Sequence, residues 1–220
     1  MSDWTLNGRP VLAGRVITPL SGRWHAELAI DTAETITGAA ELVIGGVRWA
    51  GTTYRSGIEA DTCFAGLVGG TRGLDRRVDA RSWHGLQPAR GLVQELLSEV
   101  GEVLYEGSGA ELDVHLPRWS RVECPADHAL AQLVDAIGAR WRMTIDGSVW
   151  IGTETWPELI LPDDVRAELL GTEPRAGRAT YSLPGAYLLP GQTFEGRRVG
   201  AVVYELAGGV DRAKVWWTDG

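Results

Sequence analysis

The sequence predicts an α+β fold that is mainly β, in which two small β-barrel-like segments flank a pair of repeated helix–strand units. Three observations predict this class. Apolar and polar residues alternate near both ends of the chain, glycine-rich turns separate the alternating stretches, and the apolar spacing changes twice to that of a helix in the middle. We therefore expect residues 1–83 and 179–220 to form the barrel segments, and residues 84–178 to form a helix–strand insertion.

The first barrel segment is predicted from alternation and from a glycine turn. Between residues 24 and 30, apolar positions alternate with positions that include a histidine and a glutamate, which is the period of a half-buried strand. Gly45-Gly46 separates two apolar runs, at residues 42–44 and 47–49, and such a connection is typical of a β-hairpin. Several short strands joined by such turns predict a small barrel or a sandwich.

The middle of the chain contains two stretches with helical apolar spacing, at residues 87–101 and 124–138. In each stretch the spacing places the apolar residues on one face of an amphipathic helix. In the first stretch these residues are Ala89, Leu92, Val93, Leu96, Leu97 and Val100. In the second stretch they are Ala126, Ala129, Leu130, Leu133, Val134 and Ile137. We therefore predict one helix in each stretch.

Matching residues also bound the two predicted helices. Pro88 and Pro125 stand in the first turn, where proline is tolerated, and Gly101 and Gly138 stand where a glycine ends a helix. QPARGLVQELLSEVG aligns without gaps on CPADHALAQLVDAIG. Any two short amphipathic helices share part of this pattern, but the matched ends favour a duplicated, or at least structurally equivalent, unit.

The sequence after the second helix predicts a hairpin and then a third, shorter helix. Residues 141–145 and 149–151 flank Asp146-Gly147, a pair that is typical of a tight hairpin turn. Farther on, Pro162 is expected to start a short helix that continues through Leu170 and ends at the glycine that follows.

The C-terminal segment repeats features of the first segment. Residues 194–199, FEGRRV, resemble residues 6–11, LNGRPV, and strand-like sequence follows both. A double-glycine turn and a strand that carries two tryptophans close the chain. Two arrangements fit this repetition: both β segments join one barrel, or they form two related barrels that flank the helices.

Composition and charge exclude several classes of protein. The chain has 220 residues, of which 44% are hydrophobic, so it can bury a sizeable core. Its 21 Lys and Arg against 29 Asp and Glu give a net charge of −8, and we expect no specific nucleic-acid surface. No apolar run reaches the roughly 18 residues of a membrane span, and the first residues lack the pattern of a signal peptide. We expect synthesis in the cytoplasm and no membrane span.

No arrangement of residues predicts catalysis, a metal or a cofactor. Ser82, His84 and Asp79 are the residue types of a hydrolase triad, but the G-x-S-x-G elbow is missing. The glycine-rich residues 69–73 lack the Lys-Ser/Thr pair of a phosphate-binding P-loop. The 2 cysteines stand far apart in the sequence and lack the spacing of a zinc site, so we expect reduced thiols. One disulfide between them is the alternative.

Tryptophan is unusually frequent, with 10 Trp against 2 Phe. A Trp side chain buries a large flat area and carries one hydrogen-bond donor, which suits barrel edges and subunit interfaces. Trp49, Trp83, Trp216 and Trp217 are therefore the candidate interface residues. Exposed tryptophans could instead stack on sugars, which leaves a carbohydrate-binding module as an alternative.

The order of these features resembles the hub proteins of phage tails and baseplates, a family that includes the hub part of contractile secretion spikes. The resemblance extends over residues 4–217, from the barrel opening to the closing strands. The segments that carry it are VDARSW at 78–83, SEVGE at 98–102, ARWRM at 139–143, DGSVWIG at 146–152 and LPGQ at 189–192.

The resemblance implies a non-enzymatic structural subunit of the virion tail or baseplate. Proteins of this family form a trimer whose barrel domains make a pseudo-sixfold ring, and the ring joins the hexameric tail tube to the trimeric central spike or tip. Two similar modules in each of three chains present six similar surfaces. The implied partners are two further copies of the chain, the tail tube and distal-tail proteins, and the spike. A distal-tail-type adaptor protein remains an alternative beside the carbohydrate-binding module.

Overall fold

The computed structural model describes residues 3–218, so residues 1–2 and 219–220 of the predicted barrel segments lie outside the described residues. The chain divides into two compact units. We call Met1–Val68 together with Glu154–Gly220 the barrel unit, and Gly69–Thr153 the insertion unit.

Strands make up most of the regular structure of the barrel unit. Its first part contains β1 Trp4–Leu6, β2 Arg9–Thr18, β3 His25–Asp31, β4 Gly38–Ile44, β5 Val47–Glu59 and β6 Thr62–Gly69. The insertion unit then contains β7 Arg77–Val78, β8 Arg81–Pro88, α1 Ala89–Val100, β9 His115–Arg121, β10 Cys124–Pro125, α2 Ala126–Ala136, β11 Arg140–Met143 and β12 Val149–Gly152. The last part of the barrel unit contains β13 Glu168–Glu173, β14 Arg178–Ser182, β15 Thr193–Phe194, β16 Arg197–Ala207 and β17 Val210–Trp217.

The barrel unit is built on one continuous antiparallel sheet within residues 3–218. The strands β1-β4-β5-β6-β3-β2 follow one another in the sheet, and β1 also pairs with β2, which closes a six-stranded barrel. From β2 the sheet continues through β16, β17 and β14 to β13. The predicted mainly β, α+β class is confirmed, and the C-terminal strands extend the sheet of the N-terminal barrel.

One edge of β2 serves two partners. Arg9 and Pro10 pair with β1, and residues 14–18 pair with β16. A bulge between Val11 and Ala13, on the side that faces β3, separates these two stretches. Because a bulge bends a strand and increases its twist, β2 can close the barrel at one end and carry the C-terminal strands at the other.

The barrel unit encloses an aromatic core. Trp24 and Trp49 pack edge-on with ring centroids 5.3 Å apart, and Trp49 packs in the same way against Tyr204 at 6.3 Å. The Tyr204 hydroxyl donates a hydrogen bond to the carbonyl of Leu188, and complete burial raises the pKa of Tyr204. Tyr204 lies on β16 and Trp49 on β5, so this cluster joins the two ends of the sequence in one core.

The sequence echo between residues 6–11 and 194–199 corresponds to two similar hairpins. Asn7-Gly8 connects β1 to β2, and Glu195-Gly196 connects β15 to β16. All four turn residues have positive φ angles, between 50° and 78°, as the two-residue type I′ turn requires. Each turn leads into a long strand, and these two long strands pair with each other.

The predictions of α1 and α2 are confirmed, except that α2 ends at Ala136, so Ile137 lies just beyond the helix. All six apolar positions of the α1 face are buried, and α1 packs against α2. Pro88 and Pro125 precede the first helical residue of α1 and α2. The first N–H of each helix donates to a carbonyl outside the helix. The N–H of Ala89 donates to the Val114 carbonyl at 3.0 Å, and the N–H of Ala126 donates to the Arg76 carbonyl at 2.8 Å. Gly101, with a φ of 79°, ends α1 as predicted.

The predicted bounds of the insertion and one predicted helix differ from the structure. The insertion unit covers Gly69–Thr153, whereas we predicted 84–178. Its start lies earlier because β7 pairs with β10 inside the insertion unit. The short helix expected from Pro162 is wrong: residues 162–167 form no helix, and residues 168–170 belong to the strand β13, which pairs with β14.

The predicted hairpin around Asp146 is confirmed, since β11 pairs with β12. The Asp146 carboxylate accepts hydrogen bonds from the Ser148 N–H at 3.0 Å, from the Ser148 hydroxyl at 2.6 Å and from the Thr144 hydroxyl. Partial desolvation raises the pKa of Asp146, but these hydrogen bonds outweigh it and leave the pKa below its ordinary value.

We expect the stability of the hairpin to fall on acidification. Because the folded-state pKa of Asp146 is lower than its unfolded value, the stabilisation is complete above the unfolded pKa of 3.8. It is lost as the pH falls through the folded-state pKa. Urea unfolding between pH 6 and pH 3 checks this. Asp146→Asn should show a smaller loss than the parent, and equal losses would contradict the role of Asp146.

The glycine-rich residues 69–73 bind a carboxylate of their own chain. The backbone N–H of Thr71 donates to the Glu102 carboxylate at 3.1 and 3.2 Å, and that of Gly73 donates at 2.8 Å. Glu102 is 5% exposed. A Cβ at Gly73 would lie 2.1 Å from the Val100 carbonyl oxygen, so only glycine fits. The loop thus joins β6 to the segment after α1.

We expect Glu102→Ala to lower the free energy of unfolding by about 1–3 kcal/mol, because the buried N–H of Gly73 and the part-buried N–H of Thr71 lose their acceptor. Glu106→Ala is the matched control, since Glu106 is exposed in the same unit and its removal should change stability by less than about 0.5 kcal/mol. Equal effects in chemical denaturation would show that the Glu102 contacts contribute nothing specific.

Candidate functional site

A two-stranded ribbon formed by β8 and β9 is the first candidate assembly surface. None of the 8 residues of β8 is buried, and within β9 the burial is confined to Arg121. Trp83 and Trp119 stand directly opposite each other in the ribbon, and both are half-buried. Leu86 is 71% exposed. The ribbon therefore offers aromatic and apolar side chains to the surroundings.

Trp83 fixes the ribbon to α1. Its Nε1–H donates to the Glu95 carboxylate at 3.2 Å. The guanidinium groups of Arg81 and Arg121 lie 5.0 and 5.6 Å from the ring centroid of Trp83. Arg81 also pairs with Glu95, and Arg121 pairs with Glu99 at 2.6 Å. This network holds the ribbon in place through side chains.

The ribbon is basic in an acidic protein. Its two strands, RSWHGLQP and HLPRWSR, contain three arginines and two histidines but no acidic residue. Arg118 is exposed, and no residue in 3–218 forms an ion pair with it. A shallow depression of about 410 Å³ is lined by Ser82, Trp83, His84, Arg118, Trp119 and Ser120. Aromatic residues and arginine are enriched in protein interfaces, and this combination favours a protein partner.

The edge strand β13 of the barrel unit is the second candidate surface. It is the last strand in the sheet order, and all 6 of its residues are exposed. Leu169 is 51% exposed and Leu170 is 49% exposed. Its sequence, ELLGTE, contains two acidic residues and no basic one. A strand with exposed leucines at a sheet edge is a site where another chain can bind.

The structure places the four predicted interface residues in different environments. Trp49 is fully buried in the barrel core, and Trp217 is 7% exposed, so neither offers its ring to a partner. Trp216 on β17 and Trp83 on β8 are half-buried. Trp119 was not among the residues predicted from the sequence, although its position in a strand-like stretch, like that of Trp83, was a signal that could have identified it.

Arginine side chains cover many of the tryptophan rings. The distances from guanidinium carbon to ring centroid are 4.2 Å for Arg142 on Trp150, 4.6 Å for Arg197 on Trp217, 5.3 Å for Arg198 on Trp156 and 5.4 Å for Arg178 on Trp216. Cation–π contacts of this kind use the face that a sugar ring would occupy. The geometry therefore argues against tryptophan platforms for carbohydrate.

The residues considered for catalysis do not come together as a triad in the described part of the chain. Ser82 and His84 are exposed on β8, and no hydrogen bond joins them to each other or to Asp79 within residues 3–218. The backbone carbonyl of Asp79 accepts a hydrogen bond from Arg121 at 2.9 Å. Cys63 and Cys124 are buried free thiols.

Residues 3–218 also contain neither a metal-binding group of side chains nor a helix that could span a membrane. No group of three or more His, Cys, Asp or Glu side chains in this range could hold a metal ion. No helix in the same range has the length and apolar character needed to cross a membrane.

The sequence matches no protein-family model and no curated protein. Solved structures do match. The 43 kDa tail protein of prophage MuSo2 from Shewanella oneidensis gives a TM-score of 0.68 over 97% of this chain and 96% of its own, at 13% identity. The tail protein from Neisseria meningitidis MC58 gives 0.65 over 99% and 97%, at 11% identity.

A secretion-system protein has the same fold. The E. coli c3393 protein, a component of the type VI secretion system with structural similarity to the T4 bacteriophage tail proteins gp27 and gp5, gives a TM-score of 0.62. The match covers 97% of this chain and 75% of that chain, at 10% identity. The chain therefore has the fold of these tail proteins over nearly its whole length, and the resemblance predicted from the sequence is confirmed at the level of the fold.

We expect Trp83→Ala and Trp119→Ala to differ in their effects on stability. Trp83→Ala removes a hydrogen bond to a carboxylate and contacts with two arginines, which should cost about 2–3 kcal/mol. Trp119→Ala should cost less than half of that, because no residue in 3–218 contacts its ring in a comparable network. Urea denaturation of both variants checks this, and equal losses would show that Trp83 is not the anchor.

Proposed function

We propose that the chain is a structural hub subunit of a phage-type tail or baseplate, and that it forms a homotrimeric ring between the tail tube and the central spike or tip. The observation that carries the proposal is the match of the whole fold, barrel unit and insertion unit together, to solved phage tail proteins. A match over nearly the full length of both chains is stronger support than a shared barrel alone, because small barrels serve many functions.

The internal repetition of the barrel unit supports the trimeric form of this proposal. The β1–β2 and β15–β16 hairpins have the same two-residue turn, and each leads into a long strand of the common sheet. Two similar modules in each of three chains give six similar surfaces, which suits a junction between sixfold and threefold partners. The location is then the virion tail, and the activity is assembly without catalysis.

Among the alternatives, the structure favours the tail proteins over the carbohydrate-binding module. Most of the tryptophans are buried or covered by arginine, which leaves Trp119 on the ribbon without such cover among residues 3–218. The distal-tail-type adaptor differs from a hub mainly in symmetry, so the number of copies in the ring decides between them.

We expect the purified chain to form a ring of three copies at high concentration, or when tail-tube or spike proteins are added as a template. Light scattering gives the number of copies, and class averages from electron microscopy give the symmetry. Six copies with sixfold symmetry would indicate the adaptor. A monomer that binds neither tube nor spike proteins at high concentration would contradict a tail function.

A further inference from the structure

The β8–β9 ribbon and β13 share one property: each is left incompletely covered by its own chain. A ribbon of two strands is marginally stable without further packing. Trp83 and its arginine neighbours fix this ribbon to α1, yet Leu86 and Arg118 remain exposed. On β13 both faces are exposed, whereas an antiparallel strand normally buries at least one face.

The two surfaces are complementary in charge and in apolar character. The ribbon contains no acidic residue, and β13 contains no basic residue. Arg81, Arg121 and Glu173 form ion pairs with other residues of the chain. The complementary charges left for a partner on these two surfaces are therefore those of Arg118 and Glu168. Leu169 and Leu170 on β13 are about half exposed, and Val122 beside the ribbon is 65% exposed. Opposite charges around exposed apolar side chains raise the rate of association and fix the relative orientation of the partners.

We propose that the basic ribbon of one copy docks on the acidic strand β13 of the next copy, which gives a head-to-tail contact between subunits. The occupant of each surface is a second copy, because the two complementary surfaces occur in the same chain and therefore in equal numbers. A contact between two different patches is heterologous, and repeated heterologous contacts close a ring when the rotation between neighbours closes after a whole number of copies. The inference rests on the proposed ring-forming function and names the contact that closes the ring.

Reversing a single charge on either surface tests the contact. Arg118→Glu changes the ribbon and Glu168→Arg changes β13; both side chains are exposed, and no residue in 3–218 forms an ion pair with either. Each variant should weaken ring formation at least about tenfold, and the double variant should recover most of the loss, because the pair of charges is exchanged. Sedimentation velocity measures the fraction of ring at each concentration.

Matched controls come from the insertion unit. Arg140→Glu and Glu106→Arg carry the same charge changes at exposed positions outside both surfaces, and they should assemble like the parent. Circular dichroism shows whether every variant folds. If a reversal fails to fold, Arg118→Gln and Glu168→Gln take its place, with a smaller expected loss and the same comparison.

A mixing experiment separates head-to-tail from symmetric contacts. Arg118→Glu retains an intact β13, and Glu168→Gln retains an intact ribbon. An equal mixture of these two variants should form heterodimers that do not continue into rings, because the two altered surfaces carry no opposite charges. Rings in both single variants at the parental concentration would overturn the inference while leaving the ring function intact. Loss of binding to tail-tube protein with unchanged ring formation would also overturn it, since the ribbon would then face the tube. A parent chain that never forms rings, even with tube or spike proteins, would overturn the proposed function itself.

Discussion

The pairing of β2 with β16 is the contact on which the rest of the barrel unit depends. Residues 14–18 pair with residues 202–206, and the Thr18 hydroxyl donates to the Val202 carbonyl at 2.9 Å in addition to the ladder. Residues this far apart in sequence pair only after a large loss of chain entropy. The aromatic packing of Trp49 against Tyr204 offsets part of this cost. Without β16, the strands β17, β14 and β13 would have no place in the sheet.

This constraint also explains where the insertion lies. The chain leaves the barrel unit at the end of β6 and returns to it after Thr153. The core formed by α1 and α2 offsets the conformational entropy that is lost when the insertion is ordered. With the insertion folded, no long flexible loop has to be closed between the end of β6 and the returning chain. Residues 69–73 fix the exit, since their N–H groups are held by Glu102. These glycines, which the sequence did not support as a phosphate site, thus have a structural role.

The sequence predicted features that depend on local periodicity, and it did not predict those that depend on distant partners. The faces of α1 and α2, the Gly45-Gly46 turn and the Asp146 hairpin are set by spacing and turn chemistry within a few residues. Residues 168–170 of β13 were predicted as the end of a helix, because a proline and two aspartates upstream fit a helix start and the glycine that follows fits a helix end. The strand conformation of β13 comes from β14, which no local pattern reveals. Likewise, Trp49 is buried because it packs against Tyr204. The sequence around Trp49 contains no information about this contact.

The exposed strands carry features that restrict how other chains can pair with them. A register shift interrupts β8 between His84 and Gln87, Pro117 lies within β9, and a shift between Leu169 and Gly171 interrupts β13. Bulges and prolines hinder continuous backbone pairing, and proteins use them to prevent sheets from joining edge to edge. Backbone hydrogen bonding at a sheet edge does not depend on the sequence of the incoming strand. Because this pairing is hindered here, side chains determine which partner binds. Charge and shape can then distinguish one partner from other exposed strands.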